Sequence, residues 1–127
     1  MSVYIKQLGT ICVLLLSLVV GSCLPGISTA SYTDKNFTVG VDEKYTIVVE
    51  LRAGQTIEGD FSVSGRKDDI GFYIKDPFGG LAYGVIRAVG GHSFTAEARY
   101  SGTHALYFDN SFSWGTSRQV ALRYRLR

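Results

Sequence analysis

The carboxy-terminal quarter of the chain carries the strongest constraint on the fold, an alternation of apolar and polar residues along two segments. In residues 102–109, His104, Leu106 and Phe108 fall on one side of an extended backbone. Residues 120–126 repeat the pattern, with large apolar residues alternating with alanine and arginine. This period of two is typical of a half-buried β-strand, whereas a helix needs a longer repeat. The chain therefore requires a sheet with one face on a core and the other in water.

The same alternation recurs upstream in short segments separated by turn-forming residues. The clearest are residues 44–52, 57–63, 70–74 and 93–100, with a short edge strand expected at 37–41 and an apolar segment of ambiguous register at 81–89. Short strands with turns every eight to twelve residues are typical of sandwiches and barrels. We predict an all-β fold, a single antiparallel and jelly-roll-like β-sandwich of about eight strands, after an N-terminal signal segment.

The inward positions of these strands define a candidate core. His104 shares them, and we expect it to be a hydrogen-bonded core residue rather than a catalytic base. The other residues predicted to be buried are large and apolar: Phe72, Phe94, Leu106, Phe108, Leu122 and Tyr124.

Residues 1–22 have the layout of a secretory signal peptide. Lys6 precedes an apolar run from Leu8 to Val20, and two small residues follow it. The run is about 13 residues long, short of the roughly 18 to 20 that a membrane-spanning helix needs. We therefore predict a signal peptide over residues 1–22 rather than a retained membrane span.

Cys23 follows the signal segment directly, in the order Val20-Gly21-Ser22-Cys23. This order resembles the box that precedes the lipidated cysteine of bacterial lipoproteins, although an ordinary signal peptide with a chance cysteine is the alternative. The only other cysteine, Cys12, lies inside the segment that would be removed. We predict lipidation at Cys23, a flexible tether over residues 23–36, and a sandwich domain over residues 37–127.

Several function classes find little support in the sequence. Thirteen basic against eleven acidic residues are too balanced for a nucleic-acid partner. The sequence has no Gly-x-Ser-x-Gly elbow, no phosphate-binding glycine motif and no His/Cys spacing typical of a metal site. We predict no catalytic, cofactor or metal site, and a protein that is not an enzyme.

Acidic residues near two predicted loops offer one alternative. Asp68, Asp69 and Asp76 could supply oxygen ligands to Ca²⁺ at one end of a sandwich. Arg66 and Lys67 stand beside them and would neutralise such a site. We favour ordinary loop solvation.

Arginines cluster near the carboxy terminus, and we predict that they line one face of the last strand. Such a stripe could meet anionic lipid headgroups or a partner. It could equally be a solvated outer face that pairs with Glu50, Glu58 or Glu97 on neighbouring strands. The residues of the stripe are Arg118, Arg123, Arg125 and Arg127.

Between the two carboxy-terminal strands lies a polar and aromatic corner. Asn110 stands between Phe108 and Phe112, so we expect it to be buried and bonded to main chain. Its predicted role is structural, to hold Phe112 and Trp114 as apolar anchors.

Three segments in order resemble elements of the GOLD (emp24-like) domain. They are Ala53 to Phe61, Asp69 to Gly79 and Gly102 to Ser113, and residues 117–126 resemble the closing strand. The resemblance implies a β-sandwich that serves as a non-catalytic interaction module, in which Asp69 caps or orients a loop. The chain departs from eukaryotic cargo receptors in having no cysteine pair within the domain and His104 where tyrosine is common.

Together these features predict a lipoprotein on the outer face of a membrane in the cell envelope. It would be held by a lipid anchor and would display a GOLD-like binding or adaptor module for a protein or surface ligand. The alternative is a structural accessory subunit of an envelope complex. A loop-end pocket lined by Tyr and Trp would favour the first, and a flat exposed apolar sheet face the second.

Overall fold

The computed structural model describes residues 31–127. This part of the chain forms eight β-strands, and it contains no helix long and apolar enough to cross a membrane. The strands are β1 (Thr33–Val39), β2 (Lys44–Leu51), β3 (Thr56–Ser64), β4 (Asp69–Lys75), β5 (Leu81–Val89), β6 (Gly91–Glu97), β7 (Gly102–Asp109) and β8 (Arg118–Leu126).

The strands form two antiparallel four-stranded sheets. The first sheet has the order β1-β8-β3-β6 and the second the order β2-β7-β4-β5. Except for the β4–β5 hairpin, each connection crosses from one sheet to the other. This is the arrangement of a jelly roll. The predicted all-β, jelly-roll-like sandwich is confirmed.

The core lies between the sheets and is rich in phenylalanine. The ring of Phe108 packs against Phe37, Phe61 and Phe72, each with ring centroids 5.1 Å apart. Fully burying one such side chain contributes roughly 1.5 to 3 kcal/mol. The six residues predicted as core are all buried, as is His104. The alternation in the sequence therefore predicted correctly which side of these strands faces the core.

The first strand begins at Thr33, before the edge strand expected at 37–41, so residues 33–36, which the sequence analysis placed in the tether, are paired in the sheet. Thr33 pairs with Tyr124 of β8, and the pairing continues to Val39. Only Phe37 and Val39 of β1 face the core to any extent. A polar edge strand held by backbone hydrogen bonds shows no alternation. The predicted signal peptide and Cys23 lie outside the described residues.

The strands place their connections at two opposite ends of the sandwich. We call the end where the chain runs into β1 the near end, and it carries the connections 52–55, 76–80 and 98–101. The far end carries the connections 40–43, 65–68 and 110–117.

Candidate functional site

Asn110 links two loops of the far end through hydrogen bonds. It is fully buried, and its Nδ2 donates to the carbonyls of Gly40 at 2.9 Å and Thr116 at 3.0 Å. Its own backbone N–H donates to the carbonyl of Glu43 at 2.8 Å. The connections 40–43 and 110–117 are therefore held by one amide side chain that bonds main chain on both sides.

The corner around Asn110 begins with a turn that a side chain stabilises by bonding to the backbone. The Asp109 carboxylate accepts the backbone N–H of Ser111 at 2.8 Å, the Asx turn that this residue type favours. Ser113 then donates its backbone N–H to the carbonyl of Asn110 at 3.1 Å and its hydroxyl to the carbonyl of Thr116 at 3.0 Å. Hydrogen bonds within the loop therefore hold its backbone up to the start of β8.

Arg118 is buried at the start of β8 and pairs with Asp69 at the start of β4. Only 2% of its side chain is exposed, and its Nη2 lies 2.8 Å from Asp69 Oδ1. Its Nε donates to the backbone carbonyl of Asp69 at 2.6 Å, and its Nη1 to the carbonyl of Thr116 at 3.0 Å. Including Arg118 in the outer arginine stripe was wrong. It has the same parity as the inward Val120, a signal already present in the sequence.

Asp69 also binds a second arginine, on the solvent side. Arg87 donates to Asp69 Oδ2 from Nε at 3.1 Å and from Nη2 at 2.8 Å, with 56% of its side chain exposed. Partial burial alone would raise the pKa of Asp69, but the hydrogen bonds from Arg87 and Arg118 outweigh it and hold that pKa below its ordinary value. Asp69 is therefore a carboxylate bridge between a buried and an exposed guanidinium.

The two predicted apolar anchors of the corner behave differently. Phe112 is partly buried beneath Arg87, whose guanidinium lies 3.6 Å from the ring centroid, and Arg118 lies 5.6 Å from it. Trp114 is 94% exposed, so its prediction as an anchor was wrong. The reason is geometric: the core is filled by strand residues, and this loop is closed by hydrogen bonds that leave the indole outside.

An open pocket of about 320 Å³ lies beside Trp114 at the far end. Its walls combine an indole with charged side chains, and they include Lys67, Asp69, Arg87, Trp114 and Arg118. On its other side, Trp114 borders a second depression with Val41 and Ser111. The tip of the 110–117 loop therefore stands between two concave surfaces.

The remaining arginines of the stripe lie on the outer face of the first sheet or at its end, and they meet carboxylates. Glu58 Oε2 lies 2.5 Å from Arg125 Nε, and Glu58 Oε1 lies 3.1 Å from Arg127 Nη2. Arg123 lies 4.0 Å from Asp34. The hydrogen bond from Arg125 lowers the pKa of Glu58 despite some desolvation. These contacts favour a solvated, paired face over a headgroup site.

Asp76 and His104, which the sequence analysis considered, and the second histidine, His92, are engaged locally. Within residues 31–127 no group of three or more His, Cys, Asp or Glu residues is arranged to hold a metal ion. Asp76 accepts the backbone N–H groups of Phe78 and Gly80 within its own turn. His104 Nδ1 lies 3.0 Å from the carbonyl of Gly102, and His92 Nε2 lies 2.8 Å from the hydroxyl of Tyr83. These contacts have structural roles.

The protein is a two-sheet sandwich, and its buried charged and amide side chains mainly hold loops in place. This is the architecture of a scaffold that displays loops on its surface. Residues 35–127 match the emp24/gp25L/p24 family/GOLD, and the chain belongs to this family. No curated protein matches the chain in sequence.

Solved structures of bacterial proteins share the fold. PliG from Aeromonas hydrophila, a periplasmic inhibitor of g-type lysozyme, is 15% identical, with a TM-score of 0.58 over 77% of this chain and 88% of that one. PliG from Salmonella Typhimurium is 9% identical, with a TM-score of 0.52 over 82% and 95%. The Yersinia pseudotuberculosis-derived mitogen is 15% identical, with a TM-score of 0.50 over 76% and 86%. At these identities the likeness defines the fold alone.

Proposed function

We propose that this protein is a lipid-anchored, extracytoplasmic module that binds a protein partner through the far end of its sandwich. The observation that carries the proposal is the exposure of Trp114, 94%, at the tip of a loop that is closed by hydrogen bonds. No catalytic step is part of the proposal.

An exposed indole on a well-held loop suits binding better than stability. A tryptophan in water contributes almost no burial energy to the fold, yet in protein interfaces it is among the residues that carry most of the binding energy. Asn110 and the Arg118–Asp69 pair fix the backbone on either side of Trp114. A preorganised loop loses little conformational entropy on binding, which favours affinity.

The surroundings of Trp114 indicate the chemistry of the partner. Lys67 and Arg87 are exposed on one side of the indole, and Val41 is 43% exposed on the other. A partner surface with an apolar or aromatic recess bordered by carboxylates would complement them. The pocket beside the indole would then receive a partner side chain.

The comparisons support this proposal at the level of architecture. Membership of the GOLD family favours an interaction module. The PliG proteins, which share the fold, inhibit a lysozyme, so a sandwich of this kind can serve protein recognition in a periplasm. The lipid anchor rests on the sequence before Cys23, and an extracytoplasmic location is compatible with the periplasmic structural relatives.

A structural accessory subunit is the second candidate, favoured by the outer face of the second sheet. Val48 is 64% exposed there, and Tyr73 and Tyr107 stack with ring centroids 4.8 Å apart. Lys75 lies 5.7 Å from the Tyr107 ring centroid. Such a flat aromatic and aliphatic face could pack against a larger complex.

Site-specific photo-cross-linking distinguishes the two surfaces. A photoreactive phenylalanine derivative, which keeps an aromatic ring at position 114, is placed at Trp114, at Val48, or at Thr95 on the exposed face of β6 as a matched control. Cells are irradiated intact, and the adducts are identified by mass spectrometry. We expect one discrete adduct from position 114, which excess wild-type protein suppresses and the Trp114→Ala protein does not. A discrete adduct from position 48 alone would favour the accessory-subunit function.

A further inference from the structure

The near end of the sandwich carries an exposed apolar cluster that the proposed partner site does not use. Phe78 is 78% exposed, Leu81 58% and Tyr100 40%. The rings of Phe78 and Tyr100 meet edge to face with centroids 5.1 Å apart. Phe78 lies in the β4–β5 turn, Leu81 is the first residue of β5, and Tyr100 lies in the connection between β6 and β7.

The backbone beneath this cluster is firmly held. Asp76 Oδ1 accepts the N–H groups of Phe78 at 2.8 Å and Gly80 at 2.9 Å, and the Gly80 carbonyl accepts the Asp76 N–H at 2.8 Å. Pro77 packs on Gly102 so closely that a Cβ there would lie 2.8 Å from Pro77 Cγ. Phe78 therefore projects from a closed turn and remains 78% exposed beside the Tyr100 ring.

Two exposed arginines lie at the same end of the sandwich as the apolar cluster. Arg52 lies in the β2–β3 turn, which is bonded to the β6–β7 connection through Ala53 N–H to Ser101 Oγ at 2.9 Å. Arg99 precedes Tyr100 and is also exposed. The acidic Asp76 has one oxygen committed to its own turn. Binding to a membrane surface strengthens with the apolar area that is buried and with the attraction of basic residues to anionic lipids.

The described part of the chain begins at the near end, a few residues after the predicted anchor. Ser31 precedes β1 at the near end, eight residues after Cys23. Eight residues reach at most about 29 Å when fully extended. The second sheet is about 14 Å wide, since three strand spacings separate its β2 edge from its β5 edge. The width of the sheet is therefore smaller than the reach of these eight residues. A domain tethered this closely can rest its near end on the bilayer that holds the anchor.

We propose that the near end docks on that bilayer, with Phe78, Leu81 and Tyr100 entering the interface and Arg52 and Arg99 at the level of the headgroups. This inference rests on the lipid anchor of the proposed function. The strands of eight or nine residues span roughly 26 to 30 Å. Docking of the near end would therefore hold Trp114 away from the membrane, where a partner reaches it.

The experiment uses the single tryptophan of the chain as a depth probe. The full-length protein, expressed and processed in a bacterial host, is reconstituted in vesicles of phosphatidylcholine and phosphatidylglycerol with or without bromine on the acyl chains. Two forms are compared, the native protein and the double variant Trp114→Phe with Phe78→Trp. We expect brominated lipid to quench most of the emission from position 78 and almost none from position 114.

Flotation of the same vesicles separates the possible failures. Protein that floats while the indole at position 78 stays unquenched would overturn membrane docking and leave the anchor intact. Protein that does not float would overturn both the anchor and the docking that rests on it. Emission from position 78 that changes with the protein-to-lipid ratio, whether or not bromine is present, would assign the cluster to contact between copies and overturn the proposal.

Discussion

The Arg118 guanidinium lies 2.8 Å from the Asp69 carboxylate, and this pair joins the first residue of β8 in one sheet to the first residue of β4 in the other. It is a cross-sheet contact at the far end, beneath the loop that carries Trp114. Because the arginine is buried, the fold is sensitive to the loss of its carboxylate partner, since an unpaired buried charge is strongly destabilising.

Asp69→Ala is expected to lower the free energy of unfolding by about 3 kcal/mol, because it leaves the buried Arg118 cation without its carboxylate. Urea unfolding of the purified protein measures this change. Asp34→Ala is the matched control: Asp34 is 75% exposed and lies 4.0 Å from Arg123, so its loss should cost less than about 1 kcal/mol. Equal costs for the two variants would contradict a special role for the Arg118–Asp69 pair.

Stability should fall on acidification because the pKa of Asp69 is lowered in the folded state. A depressed folded pKa stabilises the protein above the unfolded pKa, about 3.9, and this contribution is lost as the pH drops toward the folded value. Glu58 acts in the same direction. Thermal unfolding from pH 7 to pH 3 should show a smaller loss of melting temperature for Asp69→Asn than for the native protein. An unchanged pH dependence would show that Asp69 does not contribute.

Asn110→Ala is expected to destabilise the protein by about 1 to 3 kcal/mol, because the carbonyls of Gly40 and Thr116 would lose their donor. Calorimetry measures the fall in melting temperature. Asn36→Ala, on the exposed part of β1, is the control and should leave it nearly unchanged. A variant at Asn110 that melts normally but no longer yields the adduct from position 114 would move this residue from the scaffold to the binding site.

Phe108→Ala should cost about 3 to 5 kcal/mol, the range for removing a large aromatic side chain from a packed core. Its ring lies among Phe37, Phe61 and Phe72. Trp114→Ala removes a larger ring that is 94% exposed and should change stability by no more than about 0.5 kcal/mol. Denaturant unfolding of both variants checks the pair. A large loss from Trp114→Ala would assign the indole to the fold.

Cys23→Ser is expected to release the protein from membranes or to leave its signal segment uncleaved, because the variant offers no thiol for lipidation. Fractionation of cells and mass spectrometry of the mature amino terminus provide the measurement. Cys12→Ser, within the predicted signal segment, should leave membrane association unchanged. An unmodified amino terminus at any residue other than 23 would contradict lipid anchoring.

Some features of the far end could be predicted from neighbouring residues alone. Asn110 stands between two large aromatic residues after a strand, which is why its burial could be expected. The inward parity of Arg118 was also readable, since it lies two residues before Val120. Its partner was not, because Asp69 lies 49 residues earlier and no local pattern relates the two.

The sequence by itself determined most of the strands and the side of each that faces inward, because alternation with a period of two is a local property and the apolar side must face the core in whichever sheet forms. The tertiary structure decided which distant residues meet and which remain in water. It extended β1 back to Thr33 through backbone pairing that needs no side-chain pattern. It left Trp114 outside because phenylalanines from both sheets fill the core, while Asn110 and Arg118 close the loop beneath the indole.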